Sequence, residues 1–71
     1  MIIGKRMDMF FLPSQHGTIK LFVYGFHPLG NGGQVYAELN GITVKVKGFQ
    51  RKRVIVRALR KLHELLLNQE Q

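Results

Sequence analysis

The dipeptide Asn40-Gly41 constrains this chain more than any other feature. A two-residue type I′ turn needs positive φ at both central residues, and Asn-Gly between alternating segments is the strongest short-range hairpin signal. Here the flanks alternate, Gln34 to Leu39 before the turn and Ile42 to Lys47 after it. A two-residue loop sets the register. Leu39 faces Ile42, Ala37 faces Val44 and Val35 faces Val46, all six apolar and all on one face. The other face pairs Glu38 with Thr43, Tyr36 with Lys45 and Gln34 with Lys47. One face is therefore core, and the other is wet and basic.

A core face needs a cover, and the sequence supplies one. After Gly48-Phe49, the residues Val54, Ile55, Ala58, Leu59, Leu62, Leu65 and Leu66 recur at helical spacing. They predict a helix over 50–68 with one apolar stripe. Arg53, Arg57, Arg60 and Glu64 lie opposite that stripe, and Arg51, Lys52 and Lys61 sit on the flanks or in the first turn. Val56 and Leu67 fall on the polar side, where a subunit contact would use them.

Upstream, Thr18 to Phe26 is dense in β-branched and aromatic residues. Ile19, Leu21 and Val23 alternate with Lys20, Phe22 and Tyr24, the pattern of a strand. Phe22 on the second face implies partial cover on both sides. Residues 27–33 hold three glycines and a proline and read as a loop. Met9 to Leu12 reads as a short further strand, and Pro13 to Gly17 as a turn. The expected fold class is α+β: an antiparallel three- to four-stranded β-meander with one C-terminal helix packed on its apolar face. Residues 1–71 form a single domain, with an extra strand and turn offered by 1–17, the meander over 18–49 and the helix over 50–68.

At 71 residues, such a domain buries only about 60% of its unfolded surface. Small folds compensate with disulfides, metal or oligomerisation. The chain has no cysteine, which excludes disulfides and favours a reducing compartment. A homodimer is one remaining route. No segment approaches the length of a membrane span, and the start does not read as a signal peptide, so no membrane association and a cytoplasmic location are expected.

Charge narrows the partner. Eleven Lys and Arg stand against four Asp and Glu, a net +7. Such an excess points to a polyanion. Eight of the eleven cations fall between Lys45 and Lys61, with no acid among them. Solvated helix faces normally mix signs, because like charges at i,i+4 repel; here Arg53, Arg57 and Lys61 stack at that spacing. A second candidate surface is the sheet face with Lys20, Tyr24, Tyr36, Lys45 and Lys47, where aromatics stack on bases and lysines meet phosphate. Tyrosines covering sheet edges would look the same. The loop over 27–33 lacks P-loop spacing and reads as a long flexible hairpin loop.

Signals for catalysis are thin. His16, His27 and His63 are the only acid–base candidates near neutral pH. They show no metal-ligand spacing and no carboxylate pair, so neither a metal nor another cofactor is expected. Asp8, Glu38, Glu64 and Glu70 are too few and scattered for two-metal nuclease chemistry.

The run Val35 to Leu39, then Val44 to Phe49, Arg51-Lys52-Arg53 and Ala58-Leu59 resembles the end of three-stranded-sheet-plus-helix domains, those of tyrosine-integrase N-terminal regions and AP2-type factors. These families insert the exposed sheet face into the DNA major groove. The resemblance implies readout by Lys20, Tyr24, Tyr36, Lys45 and Lys47, with Gly48-Phe49 packing the helix on the sheet. The C-terminal half also resembles the double-stranded-RNA-binding domain, which would bring Arg51, Lys52 and Arg53 to phosphates. The likeness covers little more than half the chain. Unlike those families, this chain is expected to have no N-terminal helix and no downstream catalytic domain, and its helix is rich in Leu and Arg.

These readings converge on a small basic, non-enzymatic nucleic-acid-binding protein, for duplex DNA ahead of RNA, with affinity dominated by phosphate contacts and no small-molecule substrate. Its candidate contacts are Lys20, Tyr24, Tyr36, Lys45, Lys47, Arg51, Lys52, Arg53, Arg57, Arg60 and Lys61. Two alternatives stay open. One is a phage or mobile-element interaction protein that inhibits an acidic host protein through Leu29, Val56 and Leu67. The other is a toxin-type, metal-free ribonuclease working with histidine and arginine.

Overall fold

The computed structural model describes residues 7–26 and 32–69. Four strands and one helix follow in chain order: β1 (Met7–Ser14), β2 (Gly17–Gly25), β3 (Gly33–Leu39), β4 (Ile42–Gly48) and α1 (Arg51–Gln69). The strands form one antiparallel sheet in the order β1-β2-β3-β4, the expected meander in its four-stranded form. Helix α1 packs on β3 and β4.

The central hairpin takes the expected register throughout, from Leu39 opposite Ile42 to Gln34 opposite Lys47. Asn40 and Gly41 both have positive φ, 51° and 82°, as a type I′ turn requires. The first hairpin differs from expectation. Pro13 and Ser14 continue β1 rather than turning, and the turn is only Gln15-His16, with Ser14 opposite Gly17. Proline is tolerated there because β1 is an edge strand. The side chain of Asn40 donates from Nδ2 to the His16 carbonyl at 3.0 Å, tying the two hairpin turns together.

The core is a single cluster: Leu21 and Val23 from β2, Val35, Ala37 and Leu39 from β3, Val44 from β4, and Val54, Ala58 and Leu62 from α1. Ala58 is fully buried, and its small side chain lets the helix approach the sheet. Gly48 serves the same end, because a Cβ there would meet Val54 Cγ2 at 2.6 Å. The expectation for its neighbour is corrected. Phe49 does not pack the helix on the sheet but is 82% exposed. Leu65, assigned to the apolar stripe, lies at the margin of the contact and is exposed. Residues 27–31 of the expected loop, His27 and Leu29 included, lie outside the described residues, whereas Gly33 belongs to β3.

Candidate functional site

The pairing registers sort the strand residues by face. The side away from the helix carries three cross-strand rows: Met7, Tyr24, Gln34 and Lys47; Met9, Phe22, Tyr36 and Lys45; Phe11, Lys20, Glu38 and Thr43. All five sheet residues singled out from sequence therefore share one face. Phe22 is half-buried between Met9 and Tyr36, so its partial cover comes from row neighbours on the open side rather than from a second layer.

That face is more aromatic and less basic than the sequence implied. Tyr24 and Tyr36 meet edge to face, with centroids 5.6 Å apart and planes at 83°. The Lys45 ammonium stands 5.8 Å from the Tyr36 ring centroid, a cation–π distance. Lys20 lies directly across from Glu38, which offsets its charge. A depression of about 370 Å³ at the centre of the face is lined by Phe22, Tyr24, Gln34, Tyr36, Glu38 and Thr43. Its one ionisable carboxyl belongs to Glu38, which a polyanion would meet unfavourably.

The helix carries a different surface. Arg51, Lys52, Arg53, Arg57, Arg60 and Lys61 are all exposed. Only Arg51 is in an ion pair with an acid among the described residues: its guanidinium lies 3.3 Å from the Asp8 carboxylate and 5.5 Å from the Phe10 ring centroid. Lys52, Arg53, Val56, Arg57 and Arg60 line a shallow groove along the outer face. A second groove, at the β4-to-helix junction, is lined by Gly48, Phe49, Gln50, Val54 and again Arg53 and Arg57. The first turn of α1 has no acid, although the positive end of the macrodipole favours one. Gln50 provides the first helical acceptor, its carbonyl receiving the Val54 N–H at 3.0 Å. The stacked cations and the helix terminus both raise the local positive potential.

Sheet lysines and helix arginines lie on opposite faces but at one edge. Lys45 and Lys47 project from edge strand β4, and Arg53 and Arg57 lean over the junction that follows it. The opposite edge strand, β1, has Asp8 as its single charge. This polarity, basic at β4 and neutral at β1, was hidden in the sequence, because it depends on which strands are outermost. His16 and His63 are exposed and far apart in the chain, and among the described residues no group of three His, Asp or Glu gathers to hold a metal. No described helix is long and apolar enough to cross a membrane.

Fold and surface together define a class: a four-stranded meander with one helix across half of one face and a cationic ridge on that helix. Comparison with protein families, characterised proteins and solved structures returns no match.

Proposed function

We propose that this protein binds nucleic acid, duplex DNA first, through the outer face of α1, and that it acts as a binder rather than a catalyst. One observation carries the reading. Lys52, Arg53, Arg57, Arg60 and Lys61 form an exposed ridge with no acid among them before Glu64. Their mutual repulsion destabilises the free helix, and a row of phosphates would relieve it. From Lys52 to Lys61 the helix rises about 14 Å, enough to reach several successive phosphates along a duplex. The sheet face is the weaker candidate, since Glu38 stands in its central depression and opposite Lys20.

The reading is tested with a labelled duplex followed by fluorescence anisotropy across a salt series. The logarithm of affinity should fall linearly with the logarithm of salt, with a slope no steeper than about −4.5 if all five ridge cations meet phosphate. R53E/R57E should abolish binding, and K45E/K47E should leave it within a few-fold. Absence of binding to duplex DNA and duplex RNA at low salt would overturn the proposal.

A further inference from the structure

The two edges of the sheet are built to opposite specifications. An exposed edge strand is a template for pairing with another chain, and proteins blunt such edges with lysine, proline, bulges or a covering element. Strand β4 is protected in this way: Lys45 and Lys47 project from it, and helix α1 packs beside it. Strand β1 is not. It pairs with β2 over eight consecutive residues without a bulge. Its centre, Met9-Phe10-Phe11-Leu12, carries no charge. Its one acid, Asp8, is held by Arg51. Both of its faces are apolar and accessible, with Met7 46%, Met9 46% and Phe11 58% exposed on the open side and Phe10 39% exposed on the helix side. The helix packs chiefly on β3 and β4, and over Phe10 it extends the Arg51 side chain, 5.5 Å from the ring centroid, which leaves the ring partly exposed.

We propose that the β1 edge pairs with the β1 edge of a second copy of this chain, joining two four-stranded sheets into one continuous sheet about a two-fold axis. Charge identifies the occupant. Two chains of net charge +7 repel wherever their helices or β4 edges approach, and of the two described edge strands β1 is the one with no cation of its own. An antiparallel strand pair about a two-fold axis is self-complementary, the isologous arrangement of most homodimers. Apolar residues on both faces of β1 are then covered together, above and below the new sheet. Directly opposed residues in an antiparallel pair share a face, so one residue of β1 must meet its own copy. Pro13 has no N–H to donate, which confines the ladder to residues 7–12 and puts that residue at Met9 or Phe10. The axis lies normal to the sheet, so both helices sit on the same side of the joined sheet.

The test uses the full chain in high salt, where phosphate-bridged association is suppressed. Sedimentation equilibrium should show a dimer, and M9K/F11K should be monomeric with unchanged far-ultraviolet circular dichroism, since both side chains are already exposed. The natural chain has no cysteine, so single replacements report contacts without background. M9C or F10C should form an oxidised cross-linked dimer, and K45C on the opposite edge should not. A chain that stays monomeric to its highest soluble concentration overturns the proposal. So does a dimer that survives M9K/F11K, or cross-linking through K45C in place of the β1 positions; either would assign the pairing to another surface, and a monomer would leave β1 to a different partner. These readouts contain no nucleic acid, so their failure is separate from failure of the binding reading.

Discussion

Single residues set how tightly this small core closes. Gly48 has no room for a side chain, because Val54 fills the space a Cβ would take, and Val54 is itself buried. G48A should therefore destabilise the protein by about 1–3 kcal/mol through overpacking, read as a lower urea midpoint with an unchanged slope. Asn40 joins two functions, its positive φ and its bond to the His16 carbonyl. The first was legible from the dipeptide; the second was not, because His16 is remote in sequence and reaches Asn40 only when β1–β2 and β3–β4 lie in one sheet. The Arg51–Asp8 pair is equally non-local, and both side chains are roughly half exposed. Replacing Asp8 by asparagine should cost less than about 1 kcal/mol, a loss that disappears in high salt.

Helix α1 shows a conflict between stability and the proposed activity at the scale of an element. Its inward stripe was legible from 3.6-residue periodicity, and Val54, Ala58 and Leu62 are indeed buried. L62A should cost about 2–5 kcal/mol, as for large-to-small changes at fully buried sites. Its outward ridge opposes folding. Arg57 has like-charged neighbours at Arg53 and Lys61, four residues away on either side. R57E converts two repulsive i,i+4 pairs into attractive ones, each worth about 0.2–0.5 kcal/mol. The variant should melt at a higher temperature than the parent and bind duplex DNA more weakly. A ridge kept only for solubility would give the first effect without the second. The Phe49 expectation failed at this scale for a simple reason. Gly48 alone makes the close approach to Val54, and the chain leaves β4 with the Phe49 ring turned to solvent.

At the scale of the whole molecule the governing feature is the polarity between two edges. The helix packs chiefly on β3 and β4, Lys45 and Lys47 project at the β4 edge, and apolar residues remain exposed on β1. If β1 pairs with a second copy, stability is coupled to association. The melting temperature should then rise with protein concentration, as mass action requires when only the folded chain associates, and M9K/F11K should remove that dependence.

What the sequence determined by itself was local and periodic. Asn40-Gly41 imposed a two-residue turn, and alternation with period two then assigned every residue of β3 and β4 to a face. Helical periodicity chose which side of α1 goes inward. These follow from neighbouring residues and backbone geometry alone. The length of β1 was under-read because Pro13 looks like a turn former until an edge position makes its missing N–H harmless. Only the tertiary structure decided which strands became edges, how far the helix reached across the sheet, and which acids met which cations. Lys20 came to face Glu38, and Arg51 met Asp8, through contacts between distant segments that no local pattern encodes. The opposition of a basic edge and an apolar edge arises the same way: charge is written in the sequence, but its place on the molecule is set by strand order.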